Sequence, residues 1–133
     1  MAFLAYFPLL RIHNVPPRFH FNSLAHDNDA QSTTMHDVVT VPNDREGDAT
    51  PSLIILTGVQ HIRKFNRQHP DEVRIAMCIY RVQEKNIDLV VTTNVPMISD
   101  DGGAVGEQGW IDAKADFDTM IKSLRIVDFG LFS

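Results

Sequence analysis

The chain has 133 residues, which is enough for one domain with a buried core. An apolar content of 44% and a charged content of 22% are those of an ordinary soluble globular protein. The net charge of −5, with no basic stripe to offset it, argues against nucleic acid as a partner. Cys78 is the single cysteine, so it excludes an internal disulfide framework and predicts a buried, inert thiol in a reducing compartment.

The N-terminal segment, residues 1–17, is apolar but has no clean period. Residues 1–10 lack the basic start and cleavage site of a signal peptide and are too short to span a bilayer. We therefore expect no signal peptide and no membrane association, and we place the protein in the cytosol or the nucleus. Residues 2–7 are compatible with a short strand, although Pro8, Pro16 and Pro17 interrupt the region. We therefore treat residues 1–17 as poorly determined and expect a single α+β domain over 18–133.

The next segments alternate between short elements and polar loops. A short helix or turn entered through Pro17 is predicted over 18–25, followed by a loop over 27–34. Val38, Val39 and Val41 predict a strand over 36–41. The candidate core residues of the helix are Phe19, Phe21 and Leu24.

A long strand is predicted over 52–65, where apolar residues occupy both alternating faces. Gly58 in its middle indicates a bulge or the close approach of another part of the chain. A turn over 66–71 leads into the next strand, so residues 52–95 are predicted to form a meander of three strands.

A hairpin over 73–95 is the central element, because β-branched and aromatic residues flank a polar turn around Glu84-Lys85. A two- or four-residue turn gives a register with an Arg81–Asp88 charge pair across the strands. Both faces of this hairpin are apolar, so it is expected to lie inside a sheet that is covered on both sides. The register also predicts three apolar pairs: Val82 with Ile87, Tyr80 with Leu89, and Cys78 with Val91.

The C-terminal part predicts a loop over 97–109, then a helix that follows Asp112 and is capped by it. Acidic Asp116 and Asp118 would lie near its start and Lys122 near its end, as the helix dipole favours. A short strand over 125–127 is compatible with the sequence. The predicted buried face is Ala113, Phe117, Met120, Ile121 and Leu124, and the tail residues expected to dock are Phe129, Leu131 and Phe132.

The candidate chemical motifs favour a protein that binds a partner over an enzyme. Gly103, Gly106 and Gly109 have the wrong spacing for a phosphate loop and are interpreted as a linker. No serine lies in a nucleophile elbow, and no carboxylate pair forms an acid–base dyad. The six histidines match no metal pattern and are interpreted as structural or surface residues, so neither a metal nor another cofactor is expected. They are His13, His20, His26, His36, His61 and His69.

A basic cluster precedes the hairpin. The interpretation that we favour is a solvated turn, while a contact with an acidic partner or a phosphate stays open. Its members are His61, Arg63, Lys64, Arg67 and His69.

Three segments resemble the Ran guanine nucleotide release factors, the Mog-type nuclear import proteins. They are the aromatic-His stretch 18–21, the hairpin through Val-Val-Thr-Thr-Asn-Val-Pro at 90–96, and the ending 117–132. The resemblance implies an α/β/α sandwich with a largely antiparallel central sheet, the PsbP-like fold. It also implies a non-enzymatic protein that binds the small GTPase Ran, promotes nucleotide release and supports nuclear import, in the nucleus and the cytoplasm.

The site residues follow from the same resemblance. Asn94 and Pro96 at the end of the hairpin, with Asp100 and Asp101 as acids that would face a basic partner, are the expected partner contacts. The family's glycine-rich first strand and acidic segments are not matched by residues 1–17, so the chain resembles a member without the N-terminal part. The alternatives are a PsbP-like module that binds a small ligand or a metal, and a shortened family member that does not bind Ran. The protein is expected to be monomeric alone.

Overall fold

The computed structural model describes residues 2–8, 15–63, 69–98 and 104–132, of which 2–8 and 98 are described in their backbone only. Within these residues, five strands form one antiparallel sheet in the order β1-β5-β4-β3-β2, and two helices accompany it. The elements are β1 (Ala2–Pro8), α1 (Pro17–Asp27), β2 (Ala30–Val41), β3 (Leu53–Ile62), β4 (Asp71–Val82), β5 (Ile87–Ile98) and α2 (Gly106–Ser123). Short 3-10 turns occupy Gln83–Lys85 and Phe129–Phe132. The predicted α+β class is confirmed, and the PsbP-like relationship stays a prediction.

The central hairpin has the predicted register. The turn Gln83–Lys85 ends at Asn86, which takes a left-handed conformation with φ of 56°. Val82 then pairs with Ile87, and Arg81 pairs with Asp88. Asn tolerates this conformation better than most residues, so it closes the turn at low cost. The pairs Tyr80–Leu89 and Cys78–Val91 are also confirmed.

The hairpin lies inside the sheet, with β1 beyond β5 and β3 beyond β4. Two separate apolar clusters cover its faces, because successive side chains of a strand point to opposite sides. We call them the α2 face, where Phe117 and Ile121 pack on Tyr80, and the α1 face, where Phe21 packs with Met77. The prediction that both faces are covered is therefore confirmed. β1 pairs with β5 in the same sheet, and the domain boundary at residue 17 stays a prediction.

Helix α1 is fixed to the sheet by close contact at Gly58. A Cβ at this position would lie 2.4 Å from Cζ of Phe21 and 2.5 Å from the carbonyl oxygen of Thr34. The predicted close approach is confirmed, and Phe21 is fully buried as predicted. Buried Gln60 adds to the attachment, since it donates to the carbonyl of Phe21 (3.4 Å) and accepts from Asn28 (3.2 Å).

Strand β2 begins at Ala30, so the predicted loop over 27–34 is wrong in its second half. This edge strand is largely exposed on both faces, and its pairing with β3 is made by the backbone. Polar side chains are therefore tolerated there, and no alternation of apolar and polar residues marks the strand. A register shift interrupts the pairing between Met35 and Val38.

Helix α2 begins at Gly106, so the predicted cap at Asp112 is wrong and Gly106 and Gly109 are helical, not linker. Asp116 and Asp118 consequently lie mid-helix, whereas Lys122 lies in the last turn as predicted. Tertiary contacts account for the early start, because Glu107 pairs with Arg74 and Trp110 packs against the same guanidinium group. The remaining predicted glycine, Gly103, lies outside the described residues.

The prediction of burial is wrong for three residues. Phe19 (42%), Met120 (36%) and Leu131 (76%) are exposed, while Phe117, Ile121 and the partly buried Phe129 and Phe132 contact the core as predicted. Residues 125–127 form no strand, because the backbone N–H of Ile126 donates to the hydroxyl of Thr50 (2.8 Å) and not to a neighbouring strand.

The C-terminal end of α2 is held by side chains from the sheet and the 42–51 loop. The Tyr80 hydroxyl donates to the carbonyl of Ile121 (2.6 Å), and Arg45 donates to the carbonyl of Leu124 (2.7 Å). Carbonyl groups at a helix end lack intrahelical partners, so these bonds satisfy groups that would otherwise be unpaired.

Asp48 organises this loop. Its carboxylate accepts hydrogen bonds from the hydroxyl of Thr50 (2.6 Å), the backbone N–H of Thr50 (3.0 Å) and the Asn43 amide (3.2 Å), and it pairs with Arg45 (2.6 Å). The hydrogen bonds from Thr50, with smaller contributions from Asn43 and Arg45, lower the pKa of Asp48 from 3.8 to about 2.

This lowered pKa predicts a pH-dependent contribution to stability. A carboxyl group with a lower pKa in the folded state stabilises the protein above its unfolded pKa, and this contribution is lost as pH falls from 3.8 towards 2. Asp48→Asn should therefore lower the melting temperature at pH 6, and the difference from the wild type should shrink below pH 4. Asp37→Asn, on the exposed strand β2, is the control. A difference that stays constant between pH 6 and pH 3 would contradict the assignment.

Candidate functional site

A buried polar network lies on the α1 face at the turn end of the hairpin. His20 Nε2 is 2.6 Å from Asp88 Oδ2, and the two side chains are 2% and 4% exposed. Arg81 Nε lies 3.8 Å from the other oxygen of Asp88, and its guanidinium donates to the backbone carbonyl of Val15. The network joins the start of α1 to both strands of the hairpin, so the helix and the sheet are expected to move as one unit.

The opposite end of the hairpin carries Asn94 and Pro96. Asn94 pairs with Ile75 and Pro96 pairs with Val73, and both residues are half-buried. The pairing of β1 with β5 runs only as far as Thr93, so from Asn94 onwards no described strand flanks β5 on that side. We call residues 94–98 the β5 overhang.

Two buried oxygen atoms at this end have no hydrogen-bond partner in the described structure. They are Asn94 Oδ1, on the overhang, and Thr92 Oγ1, two residues earlier on the same strand face. Thr92 is 2% exposed. Buried polar atoms are nearly always paired in folded proteins, and an unpaired one costs about 1–3 kcal/mol. Such atoms therefore indicate a place where the fold is not optimised for stability alone.

The start of α2 flanks the overhang. The backbone N–H of Val105 donates to the carbonyl of Pro96 (3.0 Å), which fixes the helix start against the strand end. Glu107 pairs with Arg74 at 3.1 Å, and the Arg74 guanidinium lies 5.3 Å from the centre of the Trp110 ring. On the α2 face, the overhang therefore lies beside Arg74, Glu107 and Trp110, and Arg74 already contacts the other two.

The structure brings together two of the four predicted contact residues. Asn94 and Pro96 lie on the same face of the overhang, whereas Asp100 and Asp101 lie outside the described residues. Their role as partner contacts stays a prediction. His20 was interpreted as structural or surface, and its pairing with Asp88 was not predicted, because the two residues are 68 positions apart and no local pattern links them.

Among the described residues, the candidate nucleophiles and metal ligands are not arranged as a reaction centre. Burial raises the pKa of the Cys78 thiol to about 12, so its reactive thiolate is disfavoured, consistent with the predicted inert role. Ser32 Oγ lies 3.0 Å from His61 Nδ1, and Glu72 lies 3.6 Å from Nε2, but the His61 side chain is 40% exposed. No group of three or more His, Cys, Asp or Glu side chains within the described parts of the chain is placed to hold a metal ion.

Neither helix in the described residues has both the length and the apolar character needed to cross a membrane.

Of the predicted basic cluster, Lys64 and Arg67 lie outside the described residues, while His61 contacts Ser32 and Glu72.

Comparison with known proteins identifies the family. The family described as Ran-interacting Mog1 protein matches residues 14–96, which is more than half of the chain. The chain belongs to this family. The match runs from just before α1 to Pro96, so it includes the His20–Asp88 network and the hairpin as far as the first part of the overhang.

A relative supports the same placement. The chain is 27% identical over 122 residues to a protein of Danio rerio named Ran guanine nucleotide release factor. The aligned region covers 86% of this chain and 67% of that relative. Both findings agree with the family resemblance inferred from the sequence, and the family match covers the aromatic-His stretch and the hairpin end but not residues 117–132.

Proposed function

We propose that this protein binds the small GTPase Ran, promotes release of its guanine nucleotide and thereby supports nuclear protein import. The observation that carries this proposal is the family match over residues 14–96, which spans the structural unit formed by α1 and the hairpin. The name of the Danio rerio relative supports the nucleotide-release step. We further propose that the protein is not an enzyme, is monomeric alone, engages neither nucleic acid nor membranes, and acts in the nucleus and the cytoplasm.

The mechanism follows from differential binding. A protein that binds nucleotide-poor Ran more tightly than nucleotide-loaded Ran lowers the affinity of Ran for its nucleotide by the same factor, because the two binding events are thermodynamically linked. A rigid binding surface suits this task, since an unordered one would lose binding free energy on becoming ordered. The covered central hairpin and the buried His20–Asp88 pair support such a surface as an ordered scaffold behind it.

A nucleotide-release assay tests the proposal. Ran loaded with a fluorescent guanine nucleotide is mixed with excess unlabelled nucleotide, with and without the purified protein. Couplings between two ligands are commonly 5- to 150-fold, so we expect the affinity of Ran for its nucleotide to fall at least about fivefold when the protein is bound, and we expect release to be faster. Ran lacking bound nucleotide should also bind more tightly than loaded Ran in isothermal titration. Absence of both binding and acceleration would leave the fold and family assignment but overturn the functional proposal.

A further inference from the structure

The β5 overhang combines two properties that together point to a contact site. Its Asn94 carries a buried amide oxygen without a partner, and Thr92 on the same face carries a second unpaired oxygen. On the side away from β4, the overhang has no described strand beside it. Thr92 still has Phe3 of β1 beside it, so the unflanked edge begins next to Asn94. Acceptors that the described fold leaves unpaired, next to such an edge, are suited to a donor from a partner.

The chemistry of these atoms restricts the partner group. An amide oxygen accepts hydrogen bonds and carries no charge, and a hydroxyl oxygen accepts as readily as it donates. The complementary group is therefore an N–H donor. The net charge of −5 favours a cationic donor over a neutral one, because the electrostatic field of the whole chain attracts positive groups.

We propose that Asn94, assisted by Thr92, is a specificity contact that accepts a hydrogen bond from a lysine or arginine side chain of the bound GTPase. This inference rests on the proposed function and adds the chemistry of one contact to it. Binding would require a small local opening, since less than 1 Å² of the Asn94 oxygen is accessible in the free protein. The free protein would therefore be less stable with these oxygens than with apolar groups of the same shape.

The test uses the full chain with two substitutions and two readouts. Asn94→Leu removes the acceptor at similar volume, and Thr92→Val replaces the hydroxyl by a methyl group. We expect each variant to keep or raise its melting temperature, and we expect the Kd for Ran to weaken about tenfold for Asn94→Leu. Asn94→Asp retains an acceptor and adds a negative charge, so it should preserve binding and make it more sensitive to salt.

The controls separate the possible outcomes. Thr33→Val, on exposed β2, should leave both the melting temperature and the Kd unchanged. A melting temperature several degrees lower for Asn94→Leu would show that the amide is paired within the fold and would overturn the inference. Unchanged Ran binding by Asn94→Leu would overturn the inference while the proposed function stands. No binding of Ran by the wild type would overturn both.

Discussion

Asp88→Ala is expected to destabilise the protein by about 3–5 kcal/mol, because it removes one partner from a buried charged network. Asp88 is the shared acceptor of His20 at 2.6 Å and the counterion of Arg81 at 3.8 Å, and its side chain is 4% exposed. Without it, buried His20 would lose its contact at 2.6 Å and Arg81 would lose the carboxylate beside it. Since whole domains are stable by only about 5–15 kcal/mol, this loss would leave a substantial unfolded fraction at moderate temperature.

Urea unfolding followed by circular dichroism measures the effect. Asp37→Ala is the matched control, since Asp37 is exposed on β2 and its removal should change the free energy of unfolding by less than about 0.5 kcal/mol. Combining Asp88→Ala with His20→Ala should cost less than the sum of the single changes, because the two residues share one interaction. If Asp88→Ala proved as harmless as the control, the buried network would not hold α1 to the hairpin.

Gly58→Ala is expected to destabilise the protein by about 3 kcal/mol, at the upper end of what one extra methyl group costs in a packed core. The added Cβ would meet two atoms of the Phe21 ring at 2.4 and 2.8 Å and the carbonyl oxygen of Thr34 at 2.5 Å. Phe21 is fully buried, so a displacement of its ring disturbs the packing of α1 on the α1 face. The carbonyl can shift only by disturbing the pairing of β2 with β3.

The two clashes can be separated by a second substitution. Phe21→Leu removes the ring, so in the Gly58→Ala background it should recover part of the lost stability even though it costs stability alone. The contact with Thr34 stays, so recovery should be incomplete. Thermal unfolding of the two single variants and the double variant gives the coupling. A Gly58→Ala variant within 0.5 kcal/mol of the wild type would show that α1 does not pack on this position.

The central hairpin was predictable because its information is local. Alternating apolar residues, a polar turn and the Arg81–Asp88 charge pair set a register that the structure reproduces. The same local pattern, apolar on both faces, predicted that both sides are covered, and Gly58 predicted the close approach of another element. Two of the four expected contact residues, Asn94 and Pro96, could likewise be placed together at one strand end from the hairpin register alone.

The tertiary structure decided what depends on distant partners. Ala30 to Thr34 became an edge strand through backbone pairing with β3, which leaves no apolar pattern in the sequence. The start of α2 is anchored by Arg74, which pairs with Glu107 and lies against the Trp110 ring.

Only the fold brings His20 to Asp88 across 68 positions, and only the fold leaves the oxygens of Thr92 and Asn94 unpaired. Periodicity and turn chemistry act between neighbours in sequence and determine the elements. Pairing of buried polar atoms depends on which elements meet, and this is settled when the chain has packed.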